Sequence, residues 1–143
     1  MNKKIIVISV VTALMFSAAI YGYYIKIKKP SAIYLMQIGA YKNYENVLKN
    51  TKGIENYLVL KENDLYKVFI GIAASDETYT KLLNVFGNEY NSYKKTITLS
   101  DKNLEDKIIK YDSLINKVNT KEEIDLIVKE ELKIVSNIFD ETI

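Results

Sequence analysis

The sequence predicts an α+β domain between an N-terminal membrane anchor and a C-terminal helical hairpin. Residues 5–25 form an uncharged apolar stretch, residues 32–99 alternate strand and helix patterns, and residues 101–143 carry two helical stripes of apolar side chains. We therefore divide the chain into residues 1–29, 30–100 and 101–143.

The first segment has the length and the flanks of a membrane-spanning helix. Its 21 uncharged residues, at a rise of about 1.5 Å each, just cross a hydrocarbon core of about 30 Å. A cleaved signal peptide is the alternative, with small residues at 17–19 for the cut. We expect an uncleaved single-pass anchor in the cell membrane with residues 30–143 extracytoplasmic, although the flanking lysines alone do not decide the orientation.

Composition excludes several classes of site. The 143 residues include 20 lysines but no arginine, cysteine or histidine, which removes disulfides, Cys- or His-ligated metals and Ser-His-Asp catalysis. The nearest carboxylate pairs, Glu62 with Asp64 and Asp76 with Glu77, fall in a turn and at a helix start, where no burial would raise a general acid's pKa. We expect a binding protein, with no enzymatic activity, cofactor or metal.

The charges give no sign of a nucleic-acid partner. The first 29 residues hold five lysines and no acid, so residues 30–143 hold 15 lysines against 18 acids, a net charge of −3. No basic patch stands out, and counterion release from nucleic acid requires one.

The middle segment opens with a strand and a short helix. Pro30 ends the anchor and favours an extended chain, and residues 32–41 are apolar and β-prone, as in a central strand. Asn43 is placed to cap a helix that ends at Gly53. Its predicted apolar face is Tyr44, Val47, Leu48 and Thr51.

A predicted hairpin, a longer helix and a last strand follow. Residues 57–61 and 65–71 are the hairpin strands, joined by a tight turn at 62–64, and the helix begins at Ser75. The helix face is Tyr79, Leu82, Leu83, Phe86 and Tyr90, and the last strand is residues 93–99. The register of strand two stays open: a three-residue turn points Tyr57 and Val59 at the face away from the helices, and a two-residue turn points Leu58 and Leu60 there.

The order β-α-β-β-α-β indicates a ferredoxin-like fold, with a four-stranded antiparallel sheet and strands one and three at its centre. Right-handed crossovers put both helices on one face of the sheet. The other face is expected to be open, and it is the first candidate for a functional surface.

Two motifs in this segment resemble those of the SPOR domain, the sporulation and cell-division repeat. Residues 37–41 (QIGAY) with the capped helix after them are similar to that family's Gln-hydrophobic-Gly-Ser-Phe opening, and residues 65–71 (LYKVFIG) are similar to its second motif. The likeness covers residues 32–99. It departs from the family pattern at Ala40 and Tyr41, at Phe69, and at Ile72 and Ala73.

The resemblance implies a module that binds peptidoglycan glycan strands, favouring strands stripped of their stem peptides, in division or sporulation. Gln37 takes the place of the family's glycan-contacting glutamine, with Lys67 and Phe69 beside it. An amide matches sugar hydroxyl and acetamido groups, and an aromatic ring lies well against a pyranose. The expected glycan-binding set is Gln37, Leu35, Lys67, Phe69, Tyr57 and Thr96.

Residues 101–143 lie outside the resemblance and form the predicted helical hairpin. One stripe runs from Leu104 to Val118, and a capping box at Thr120 and Glu123 starts the second helix. Either the hairpin docks on the sheet's open face, or it binds a partner protein or a second copy, which would make the chain a structural or adaptor subunit of an envelope complex. Its net charge of −4 argues against a membrane-surface role.

Overall fold

The computed structural model describes residues 31–140, with side chains through Phe139. The predicted anchor lies outside these residues, and no helix between 31 and 140 is long and apolar enough to cross a bilayer. The described strands are β1 (Ala32–Tyr41), β2 (Leu58–Glu62), β3 (Leu65–Ala73) and β4 (Tyr93–Thr98); the described helices are α1 (Tyr44–Asn50), α2 (Asp76–Phe86), α3 (Lys102–Lys117) and α4 (Lys121–Asp140).

The strands form an antiparallel sheet in the order β2-β3-β1-β4. The predicted central position of strands one and three is confirmed. Asn63 and Asp64 form a two-residue turn with φ of 50° and 61°, and this geometry matches the right-handed twist of the flanking strands. The turn selects the register in which Leu58 and Leu60 share a face with Leu35, and β2 begins at Leu58 instead of Tyr57.

Helices α1 and α2 pack on one face of the sheet, as predicted. On this face a Cβ at Gly71 would lie 3.2 Å from Leu82 Cδ1, so glycine permits α2 to approach β3 closely. The Ser75 side chain accepts from the Thr78 backbone N–H and caps α2, whereas the Asn43 side chain makes no capping bond at α1. The predicted apolar face of α1 is only half buried: Val47 and Thr51 are covered, and Tyr44 and Leu48 are exposed.

Helices α3 and α4 pack against the opposite face of the sheet, so the prediction of an open face is wrong there. Leu104 and Ile108 of α3, with Val135 and Phe139 of α4, line one apolar layer with side chains of all four strands. Two amphipathic helices lower their free energy by burying these stripes. Of the two arrangements left open by the sequence, the structure has the one in which the hairpin docks on its own sheet.

The result is a three-layer arrangement in which the sheet is the middle layer and one apolar core includes residues from β1 to α4. The described residues belong to one compact unit. Any surface on the hairpin side of the sheet is therefore limited to the part that α3 and α4 do not cover.

Candidate functional site

Four of the six predicted glycan contacts lie on the hairpin side of the sheet. Gln37 pairs with Phe69 across β1 and β3, and cross-strand partners share a face. Leu35 lies two residues before Gln37 and Lys67 two residues before Phe69, which by strand alternation gives them the same face. The structure thus brings Leu35, Gln37, Lys67 and Phe69 together.

The other two predicted contacts lie on the opposite face, with α1 and α2. Tyr57 immediately precedes Leu58, which faces the hairpin, so the Tyr57 side chain points the other way. Thr96 pairs with Tyr34, whose ring packs edge to face on Tyr79 of α2. The structure does not bring Tyr57 and Thr96 to the face that carries Gln37.

Two of the grouped residues belong to the core. Leu35 is 2% exposed and Phe69 is 1% exposed, because the hairpin and the neighbouring strands cover them. Phe69 is the largest fully buried side chain among the described residues. A covered ring has no face available to a sugar, so these two side chains act in packing in this arrangement.

Gln37 lies at an irregular point of the sheet and is almost fully buried. The register of β1 against β3 shifts on both sides of Gln37, which marks a β-bulge at this position. Its Nε2 donates to the Gly39 carbonyl oxygen at 3.1 Å and also to the Tyr93 hydroxyl. With 2% exposure, Gln37 supports the tyrosine instead of presenting a free amide.

A charged cluster, defined here as Glu62, Lys67, Tyr93 and Lys95, lies on the same side of the sheet as α3 and α4 and links the end of β2 to β3 and β4. Lys67 Nζ is 2.7 Å from Glu62 Oε2, and Lys95 pairs with the same oxygen. Tyr93 is 52% exposed. Two lysines against one glutamate leave one net positive charge beside an accessible ring.

Two of the four acids that the sequence offers as catalytic candidates are held in the ionised form. Hydrogen bonds from Lys67 and Lys95 lower the pKa of Glu62 to about 2. The hydrogen bond from Lys94 lowers the pKa of Asp76 below its ordinary value. A general acid requires a raised pKa, so neither carboxyl is suited to protonate a leaving group.

A second surface feature is a tyrosine groove, defined here by Tyr44, Tyr57 and Tyr66, which lies at the β2 edge of the sheet between α1 and α4. It has a volume of about 560 Å³, and its walls also include Val59, Lys61, Glu55 and Ser136. The Tyr44 and Tyr66 rings meet edge to face at 5.4 Å. Their mutual contact holds both rings in place.

A smaller cavity of about 320 Å³ lies between the loop before β2, the end of α2 and the start of α4. An ion pair between Lys121 and Glu89 crosses its rim, and buried Phe86 and Val128 form part of its wall. Within residues 31–140 no group of three or more acidic side chains is arranged to hold a metal ion.

Two carboxyls of the helical hairpin are buried. Asp112 of α3 accepts from the Ala74 backbone N–H at 2.9 Å and from the Ser75 hydroxyl at 2.7 Å. Glu131 of α4 is 0% exposed, and neither of its carboxyl oxygens has a hydrogen-bond partner among the residues that the structure describes. Burial, and secondarily the charge of Asp112, raises the pKa of Glu131 well above its ordinary value.

Sequence reasoning missed Glu62, Tyr93 and Lys95 as members of the site. The signal for two of them was present, because alternation along β4 puts Tyr93 and Lys95 on the same face as the apolar Ile97. Glu62 was assigned to the turn, whereas it is the last residue of β2.

A scan against protein-family models finds no match to the chain, and no curated protein matches it. Among solved structures, the chain is similar to the solution structure of the peptidoglycan binding domain of the B. subtilis cell wall lytic enzyme CwlC. The two are 28% identical over 51% of this chain and 96% of that domain, with a TM-score of 0.37.

Proposed function

We propose that the chain is a non-enzymatic cell-wall binding protein, anchored in the membrane by residues 1–29, whose SPOR-like domain binds peptidoglycan outside the cell in division or sporulation. The observation that carries the proposal is the charged cluster. It contains Lys67 from the second SPOR-like motif, and its Tyr93 is held by Gln37 from the first.

The chemistry of the charged cluster suits a glycan strand that has lost its stem peptides. Removing a stem peptide leaves a free lactyl carboxylate on muramic acid, and Lys67 and Lys95 offer charge-assisted donors for it. The exposed Tyr93 ring offers an apolar face to a pyranose. Glu62 accepts from sugar hydroxyls on the side that its lysines leave free.

The lowered pKa values of Glu62 and Asp76 support the non-enzymatic part of the proposal. The alternative of an envelope adaptor that uses the hairpin has less support, because the buried apolar stripes of α3 and α4 pack on the chain's own sheet and leave Ile109, Leu114 and Leu126 exposed on the hairpin. The CwlC domain is a peptidoglycan binding domain, and the same class of ligand is proposed here, but the proposal rests on the motifs and on the charged cluster.

Co-sedimentation of the full chain with amidase-stripped peptidoglycan sacculi, in a nonionic detergent, tests the proposal. Changing Lys67 and Lys95 to Ala is expected to weaken binding about tenfold, the effect of losing a charge-assisted contact. Lys110→Ala, which removes an exposed lysine from α3, serves as the matched control and is expected to bind normally. Equal binding by the double variant and the control would remove the charged cluster as the site.

A further inference from the structure

The tyrosine groove is independent of the charged cluster and has the properties of a second ligand site. Strand β2 is at the edge of the sheet, and the seven-residue helix α1 packs on β1 and β3. The side chains that β2 and β3 present beside α1 are therefore left partly accessible. Tyr44, at the start of α1, is 47% exposed although it is a large aromatic residue.

The rings in this groove are held in place before any ligand binds. The edge-to-face contact of Tyr44 with Tyr66, at 5.4 Å and 72°, fixes the angle between two walls. Lys61 Nζ lies 5.5 Å from the centre of the Tyr66 ring, a cation–π distance. Since tyrosine has few rotatable bonds, little conformational entropy is lost when such a surface binds.

The groove's chemistry favours an uncharged, hydroxyl-rich ligand with flat apolar faces. One lysine, Lys61, and one glutamate, Glu55, balance each other among the lining residues, so there is no net charge to attract an anion or a cation. The three rings offer apolar faces, and their hydroxyls donate and accept. The volume of about 560 Å³ lies in the range of small-ligand sites, about 300–1,000 Å³.

We propose that the groove of Tyr44, Tyr57 and Tyr66 is a second carbohydrate site, which stacks uncharged N-acetylhexosamine rings of a glycan chain. The inference rests on the proposed cell-wall function, and it extends that function to the β2 edge of the sheet. Because the groove has no net charge, its binding does not depend on the lactyl carboxylate that the charged cluster recognises. A proline-rich peptide is the competing occupant, since such segments also dock in aromatic grooves.

Calorimetric titration of the full chain in nonionic detergent with the N-acetylglucosamine tetrasaccharide, which has no carboxylate, tests the groove. Tyr44→Ala is expected to weaken binding roughly three- to tenfold, the effect of losing an aromatic contact, while Tyr44→Phe keeps most of the affinity. Ile109→Ala is the matched control, because Ile109 of α3 is also 47% exposed and belongs to neither site. Far-UV circular dichroism checks that each variant is folded.

The outcomes separate this inference from the proposed function. Loss of tetrasaccharide binding in Tyr44→Ala with retention in Ile109→Ala supports the groove. Unchanged binding in Tyr44→Ala, no tetrasaccharide binding by the parent chain, or binding only of a proline-rich decapeptide would overturn the inference. The sacculus assay with the Lys67 and Lys95 variant decides the proposed function separately, so either can fail alone.

Discussion

The unpartnered carboxyl of Glu131 predicts that the domain loses stability as the pH rises. Below the ordinary pKa of a glutamate, about 4.3, Glu131 is protonated in both the folded and the unfolded chain and contributes no pH dependence. Above it, the unfolded chain releases the proton, while the folded chain, whose Glu131 pKa is raised by burial and by Asp112, retains it. The unfolded state then binds fewer protons, so the free energy of unfolding falls as pH increases.

The magnitude follows from one proton. The slope is at most about 1.4 kcal/mol per pH unit, and it ends where the folded-state carboxyl itself ionises. Glu131→Gln keeps the shape of the side chain and removes its titration. The free energy of unfolding of this variant, relative to that of the parent, should therefore increase with pH by up to this slope. Glu131→Leu also removes the buried polar atoms that have no hydrogen-bond partner among the described residues. Relative to Glu131→Gln, this change should raise the free energy of unfolding by about 1–3 kcal/mol at every pH.

Urea unfolding followed by circular dichroism at pH 5, 6, 7 and 8, on the full chain in nonionic detergent, measures these differences. Groups that do not interact with Glu131 cancel in the comparison. Asp112 keeps its bonds to Ala74 and Ser75 in both. A difference between parent and Glu131→Gln that stays constant from pH 5 to 8 would refute the reasoning, since it would mean that Glu131 titrates as in the unfolded chain.

Three further changes test the fold, each by the free energy of unfolding in urea. Asp64→Gly should stabilise the chain by about 0.5–1 kcal/mol, because φ at Asp64 is 61° and glycine adopts this conformation without strain; a loss of stability would contradict the assigned turn. Ser75→Ala should cost about 1–2 kcal/mol, since it removes the cap of α2 and a donor to Asp112, and a neutral result would argue against both bonds. Phe69→Ala should cost about 3–5 kcal/mol because the ring is buried; an unchanged stability with lost sacculus binding would instead restore Phe69 as a sugar contact.

Local patterns predicted most of the fold. Apolar runs and alternation identified all four strands, the serine cap identified the start of α2, and the right-handed crossover rule put α2 on the correct face of the sheet. The predicted buried face of α1 was wrong for Tyr44 and Leu48. Their spacing put them on the apolar face, but the helix is too short for both side chains to be buried against the sheet. A seven-residue helix has two turns, so its burial depends on what it packs against and not on its own pattern.

The site was less predictable because it depends on contacts between distant segments. The resemblance implied that Lys67 and Phe69 lie beside Gln37, as the structure has them, but no local pattern showed that α3 and α4 would cover that face. The accessible part of it is formed by Glu62 and Lys95, which are 33 residues apart and meet only in the folded sheet. Because Leu35 and Phe69 are buried, they are no longer candidate ligand contacts, and the charged cluster takes their place.

The sharpest test of cell-wall binding compares two amounts: the chain bound to amidase-stripped sacculi and the chain bound to intact sacculi. Stripping creates free lactyl carboxylates, and the amines of Lys67 and Lys95 are available to contact them. We therefore expect the amount of bound protein to rise after amidase treatment. The rise should be absent when both lysines are changed to Ala. No binding to either preparation would contradict the claim that this chain binds the cell wall.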